Sequence, residues 1–288
     1  MSLTPDIGIR PRVRESASMT KEAVVSRVTG TAVADAVRLL GFDSVFSDVM
    51  NRMTGPLLPD EAVFRINGEE WRFRISTRFE YESLSKYRTD PDRLVLQHFV
   101  RSLRDDDVVW DVGAHVGVFS VLAAGQVPAG TVIAIEPLPE NAEQLRENLK
   151  RNGRDATVRQ LALDDESRRA ELGVNSPSGA GAFGTLNGLS SRRRTTVQTD
   201  CGDSLVTDGV PAPTVLKVDV QGAELNVLRG LQRSLLGCRI VCVNVYEKHF
   251  TRGDEGEGIR DILESSGLHV ERLAEWDGGH FLWGTRES

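Results

Sequence analysis

Cysteine is scarce in this chain. The 288 residues hold three, Cys201, Cys238 and Cys242. The number is odd and no Cys-x-x-Cys pair occurs, which argues against a disulfide framework or a zinc site and for a reducing compartment. Cys238 and Cys242 read as small buried hydrophobes. No run reaches the roughly 18 uncharged apolar residues that a membrane-crossing helix needs. Residues 1–16 carry Asp6, Arg10, Arg12, Arg14 and Glu15, so no signal-peptide hydrophobic region is expected there, and a cytoplasmic location is. Positive charge is also in deficit. A net charge of −7 and a pI near 5.4 repel a phosphate backbone on average, and the run Arg192-Arg193-Arg194 reads as a solvated loop. An Asn-Pro-Pro-Tyr type of base-flipping motif is missing, so a nucleic-acid substrate is not expected. The turn after the first strand is lettered Asp-x-Gly-x-x-x-Gly at 111–117 rather than Gly-x-Gly-x-x-Gly, and Tyr-x-x-x-Lys is absent, which disfavours a nicotinamide dehydrogenase. No cluster of metal-ligating residues stands out, and there are no internal repeats.

What is present is alternation. The first seventeen residues are polar and without period. Ser18–Leu40 then places Val24, Val25, Val28, Ala32, Ala36, Val37 and Leu40 at helical spacing, stopped by Gly41, and a short helix is expected over Asp43–Met53. Ala62–Ile75 alternates around Asn67-Gly68, a hairpin signal. Residues 79–104 read as helix, with Leu94, Leu96, Phe99, Val100 and Leu103 facing inward. Residues 1–105 thus form an N-terminal helical and hairpin extension, and 106–288 the main domain. Within that domain strands are expected at Val108–Val112, Thr131–Glu136, Thr157–Ala162, Thr214–Val220, Arg239–Tyr246, His269–Ala274 and His280–Gly284. Helices fall between them at Val118–Ala124, Pro139–Arg151, Ala223–Leu235 and Gly256–Ser266. This predicts an α/β fold, a mostly parallel seven-stranded sheet with helices on both faces and ligands at the strands' C-terminal edge. Residues 170–206 break the rhythm, and Asn175–Gly188 reads as a long mobile loop, either a substrate lid or plain disorder.

The chemistry concentrates at that edge. Asp111-Val-Gly113-Ala114-His115-Val-Gly117 is a strand end, a glycine turn and a helix start. Its backbone N–H groups and the helix N-terminus attract a carboxylate. Asp111 would help place an amino group or merely cap the helix; His115 matters for its backbone, and Ser120 lies in the helix's first turn. Glu136 ends the second strand before Pro137 and Asn141, 25 residues after Asp111, where a carboxylate can bind ribose hydroxyls. A nucleotide-like ligand without a pyrophosphate fits this lettering, and S-adenosylmethionine is such a ligand. Leu163 would pack on its adenine, with Asp164 or nearby backbone at the exocyclic amine. Lys217 and Asp219 share a strand face by the period of two, and Glu224 opens the next helix after Gly222. They read either as a Lys–carboxylate pair with a capping Glu224, or as a catalytic group in which Asp219 orients or deprotonates an acceptor. Glu224 and His249 stand behind Asp219 as bases.

The span from Val108 to Tyr246 resembles the FkbM family of S-adenosylmethionine-dependent methyltransferases. The resemblance rests on residues 111–117, Ile-Glu-Pro-x-Pro-Glu-Asn at 135–141, Asp203-Ser204-Leu205, and Lys-Val-Asp-Val-Gln-Gly-Ala-Glu followed by Val-Leu-Arg-Gly within 217–230. It implies a Rossmann-like class I methyltransferase fold and O-methylation of a small-molecule acceptor such as a sugar, glycolipid or polyketide; the lack of a metal-ligating cluster makes metal-independent transfer the expectation. Three positions depart from the family pattern. His115 replaces the usual asparagine, Gln221 the usual glutamate, and Asn244 the acid that commonly ends the fifth strand. The last two take carboxylates away from the acceptor end, so a carboxylate-methylating enzyme and a non-catalytic S-adenosylmethionine-binding module stand as alternatives.

Overall fold

The computed structural model describes residues 7–8, 58–174, 184–186, 193–247 and 254–286. The helices expected within 18–53, most of the Asn175–Gly188 stretch, Arg192 and His249 lie outside the described residues.

The hairpin forms as the Asn-Gly turn dictates. Strands β2 (Glu61–Ile66) and β3 (Glu69–Arg74) flank Asn67 and Gly68, both at positive φ, as a two-residue hairpin turn of the right twist requires. A two-residue strand β1 (Ile7–Gly8) pairs with β2, inside the stretch that reads as structureless in sequence. One helix was expected over 79–104, and two are found. α1 (Arg78–Ser85) starts on a Thr77/Glu80 capping box. A 3-10 turn, Lys86–Arg88, follows, and α2 (Asp92–Ser102) begins after Pro91. A proline disfavours the helical conformation for the residue before it, which breaks the run at Asp90. Leu94, expected inside, is 40% exposed.

The central sheet has seven strands in the order β13-β14-β12-β11-β4-β5-β6. These are β4 (Val108–Val112), β5 (Thr131–Ile135), β6 (Thr157–Arg159), β11 (Val215–Val218), β12 (Ile240–Tyr246), β13 (His269–Trp276) and β14 (Gly279–Thr285). From β6 across to β12 every pairing is parallel, while β14 enters antiparallel between β12 and β13. Crossovers run through α3 (Val118–Gln126), α4 (Pro139–Arg151), the helix pair α6 (Glu224–Arg229) and α7 (Gln232–Leu235), and α8 (Asp254–Ser265). Sequence periodicity merges α6 and α7 into one helix; Gly230 and Leu231 separate them. No described helix is long and apolar enough to cross a membrane.

The stretch 170–206 is not a plain loop. A second sheet of order β7-β10-β8-β9 joins β7 (Ala162–Leu163), β8 (Arg169–Val174), β9 (Gly184–Leu186) and β10 (Arg193–Asp200), ahead of α5 (Gly202–Thr207). β8 buries Ala170, Leu172 and Val174, an alternation concealed by Glu171 and Gly173 between them.

Residues from 62 to 100 share one core with the central sheet. Phe64, Trp71, Phe73, Leu96 and Phe99 pack in the same cluster as Val109, Phe119, Leu122 and Val132. Trp71 lies so close over α3 that a Cβ at Gly125 would stand 2.0 Å from its ring. The hairpin therefore packs on its own chain.

Candidate active site

A cleft enclosing about 810 Å³, its open mouth included, lies at the C-terminal edge of β4, β5 and β11. That edge is where a doubly wound sheet binds its ligands.

The glycine turn forms one wall. Gly113 sits at φ +75, and a Cβ there would stand 2.0 Å from the Asp219 carbonyl oxygen, so only glycine lets β4 and β11 meet this closely. The amides expected to cradle a ligand are largely engaged. Gly113 and Ala114 donate to Ile135 O, Gly117 to Ala114 O, and His115 to Glu136 Oε2 at 2.9 Å. What faces the cleft is the start of α3, where Val116, Val118 and Phe119 line the wall and no side chain caps the helix. His115 Nδ1 lies 3.2 Å from Ser83 Oγ on α1.

Glu136 stands at the tip of β5 on the cleft wall. Its carboxylate accepts from His115 N, Leu138 N and Asn141 Nδ2 at 2.9, 3.1 and 3.0 Å, tying the glycine turn to α4. Burial outweighs these bonds and Lys217's positive charge, and pushes the carboxyl up to about 6. Pro137 and Asn141 line the cleft beside it. Leu161, Ala162, Leu163 and Leu172 form an apolar wall.

Several sequence-predicted residues sit behind the cleft rather than on it. Asp111 is wholly buried, with Lys217 Nζ 2.9 Å from Oδ1 and Ser120 Oγ donating to Oδ2 at 2.6 Å. Neither Asp111 nor Ser120 is among the lining residues, and Gly117 packs against Leu145 on α4. Asp164 is held by Arg168 at 2.7 Å and Asn226 at 3.1 Å, away from the lining. Glu224 folds back on its own turn, accepting from Val220 N and Gly222 N, and burial pushes it up to about 7. It organises the turn that carries Val220 and Gln221 to the cleft and does not itself reach it. The partner of Lys217 is thus Asp111, and of the two carboxylates expected to converge with it only Asp219 faces the cleft.

Lys217 and Asp219 both line it. Burial opposes the charge on Lys217, but Asp111 and Asp219 together hold the ammonium above its ordinary value, so it is a fixed cation. Its Nζ also donates to Gly113 O at 2.9 Å, fastening the turn. Burial alone would raise Asp219; Lys217, Lys86 and hydrogen bonds from Tyr246 and Asn244 overcome it and hold the carboxyl below the usual aspartate range. Tyr246 Oη donates to Asp219 Oδ1 at 2.8 Å.

Sequence reasoning missed Ser83, Lys86 and Tyr87, which line the cleft from α1 and the 3-10 turn. Lys86 pairs with Asp92 at 3.3 Å, and Tyr87 packs edge-on against Phe119 at 6.0 Å. The helical pattern around them gave no sign that a 3-10 turn aims both inward. Asp203, quoted for the family resemblance, accepts from Arg233 N, Ser234 N and Ser234 Oγ and holds the start of α7.

A mostly parallel sheet with an antiparallel β14, and a cleft bounded by a glycine turn, a strand-end glutamate and Asp219, define a Rossmann-like class I methyltransferase. Within that class the chain belongs to the FkbM methyltransferase family: the profile described as the methyltransferase FkbM domain matches residues 111–271. The hexuronic acid methyltransferase AglP of Haloferax volcanii is 31% identical over 210 residues, 73% of this chain and 82% of that protein. The 31-O-demethyl-FK506 methyltransferase FkbM of Streptomyces tacrolimicus is 31% identical over 170 residues, 49% of this chain and 65% of that one. Among solved structures, methyltransferase FkbM of Methylobacillus flagellatus aligns with a TM-score of 0.46 and 17% identity, over 71% of this chain and 53% of that one. The chain is an enzyme, and the dehydrogenase and non-catalytic readings are set aside.

Proposed function

We propose that the chain uses S-adenosylmethionine to methylate a hydroxyl of a sugar or natural-product small molecule, without a metal. The cleft's residues suit that cofactor. The uncapped start of α3 matches its carboxylate end, Glu136 its ribose, and the wall of Leu161, Leu163 and Leu172 its adenine. A carboxylate has about four acceptor sites, and the protein fills three on Glu136, which leaves room for about one ribose hydroxyl. When bound, the cofactor supplies an electrophilic methyl group on a cationic sulfur.

The observation that carries the hydroxyl reading is the charge pattern at the acceptor end. Both cleft lysines are already paired, Lys86 with Asp92 and Lys217 with Asp111, so Asp219 is the unbalanced charge. An anion at that place repels a carboxylate acceptor and accepts a hydrogen bond from a hydroxyl. A carboxylate this weakly basic does not ionise a sugar hydroxyl in advance. It does suffice to receive the proton once the oxygen has gained its methyl group, because a protonated ether is far more acidic than a carboxylic acid. Asp219 therefore orients the hydroxyl and takes its proton late. The names of the two relatives, one acting on a hexuronic acid and one on a demethylated FK506, agree with a small-molecule acceptor.

The test is label transfer from methyl-labelled S-adenosylmethionine to a panel of glycosides, polyketide alcohols and uronic acids. A product label that survives mild alkali is an ether and supports the proposal; an alkali-labile label is an ester and contradicts it. Asp219→Asn should lower the rate at least about 100-fold, the lower end of general acid–base contributions, with cofactor affinity nearly unchanged.

A further inference from the structure

Asn244 and Tyr246 project from the end of β12 toward Asp219, and the bonds around them fix which atom donates and which accepts. Trp276 Nε1 lies 3.2 Å from Asn244 Oδ1. An indole nitrogen can only donate, so Oδ1 must face it and Nδ2 must face the site. From there Nδ2 donates to Tyr246 Oη at 2.9 Å and reaches Asp219 Oδ1 at 3.4 Å. Gln221, held at φ +61 on the cleft wall, also donates through Nε2 to Tyr246 Oη. A phenol oxygen has two lone pairs and one proton. With amide donors on the lone-pair side, the proton is directed at Asp219 Oδ1, 2.8 Å away. Trp276 also packs edge-on against the Tyr246 ring at 5.1 Å, which fixes the ring carrying that hydroxyl.

Gln221 and Asn244, two of the departures from the family pattern, thus have a common physical role. Each supplies N–H donors where a carboxylate would supply only acceptors and a second negative charge beside Asp219. We propose that Asn244 and Tyr246, locked by Trp276 and Gln221, are the positioning residues of the methyl-transfer site: a donor platform that holds Asp219 ionised and aimed at the cleft. The proposal rests on the reading of Asp219 as the group facing the acceptor. The charged and titratable groups around Asp219 are Lys217 on β11, Asp111 on β4, Lys86 and Tyr87 on the 3-10 turn, Asp92 on α2, Glu224 on α6, and Cys242 and Tyr246 on β12. Asn244 and Gln221 add neutral donors to that set.

The experiment is a carbon-13 NMR titration of the full chain with carboxyl-labelled aspartate, the Asp219 signal being assigned by its loss in Asp219→Asn. In the wild type that signal should stay flat from pH 5 to 9. In Asn244→Asp the introduced carboxylate faces Asp219 directly, and the two should take up one proton as a pair inside that window, a rise of at least about one pH unit or tenfold in proton affinity. Tyr246→Phe keeps the ring and removes its O–H donor, so the Asp219 signal should already be moving at pH 5. It serves as the second variant should Asn244→Asp fail to fold by circular dichroism. A folded Asn244→Asp chain with flat aspartate signals, or an Asp219 signal in Tyr246→Phe that matches the wild type, overturns the proposal. The titration needs no cofactor. Calorimetry of the wild type with S-adenosylmethionine therefore separates a failure of the functional reading, in which nothing binds, from a failure of the donor platform.

Discussion

Lys217 shows how one buried side chain serves both stability and the site. It neutralises Asp111 at 2.9 Å and fastens the glycine turn through Gly113 O. Removing one partner of a buried ion pair strands the other charge, at a cost of roughly 3–5 kcal/mol. Lys217→Met should lower Tm by roughly 10 °C, and adding Asp111→Asn should restore part of it. Calorimetric unfolding of the single and double variants checks this. Glu224 makes a different prediction, because its folded value of about 7 lies above the ordinary 4.5. Between those two values the native state holds a proton that the unfolded chain has released. The group's stabilising share is thus full below pH 4.5 and lost as pH rises through 7. Glu136, pushed up to about 6, acts in the same direction. Asp219 and Asp107, both lowered, lose their share only below the usual aspartate range. Between pH 5 and pH 8 the Glu224 share should fall by about 2.5 kcal/mol, while His98 and His280, held neutral by burial, act in the opposite direction. Glu224→Gln should flatten that slope, and Tm measured against pH is the test.

At the scale of elements, regular periods were legible in the sequence and local exceptions were not. The Asn67-Gly68 hairpin, β4, α4 and the β13–β14 pair could be read because hydrophobic period and turn chemistry agree in each. The second sheet was concealed because β8 sets Ala170, Leu172 and Val174 around one charged residue, Glu171, and a glycine, Gly173, beside a glycine-rich segment. The site was half legible for a related reason. Glu136 and Asp219 end strands, and a strand end at the C-terminal edge of a parallel sheet faces the ligand whatever else surrounds it. Asp111, Asp164 and Glu224 share that edge in sequence, yet their oxygens are turned to Lys217, Arg168 and the Val220–Gly222 turn. No one-dimensional pattern reports which way a buried carboxylate turns. The hairpin allows a test at this scale. Trp71 is buried against α3 and carries the Arg154 guanidinium 5.0 Å from its ring. Trp71→Ala should cost roughly 3–5 kcal/mol. Because the cluster is shared, the loss should appear in a single unfolding transition; two separate transitions would show that the hairpin folds apart from the sheet.

For the molecule as a whole, the stretch from 58 to 105 is part of the enzyme's working unit in this account. It supplies Ser83, Lys86 and Tyr87 to the cleft and Phe64, Trp71, Phe73, Leu96 and Phe99 to the core, although the family profile begins at residue 111. A chain starting at residue 106 should therefore expose the apolar face of α3 and bind no cofactor. In the proposed function the cleft binds an adenosyl ligand through Glu136. Calorimetric titration with S-adenosylmethionine, S-adenosylhomocysteine and NADH, repeated on Glu136→Ala, tests it most directly. Both adenosyl ligands should bind at micromolar concentration, NADH should not bind, and the variant should lose binding. Binding of NADH with neither adenosyl ligand, or adenosyl binding indifferent to Glu136, would contradict it.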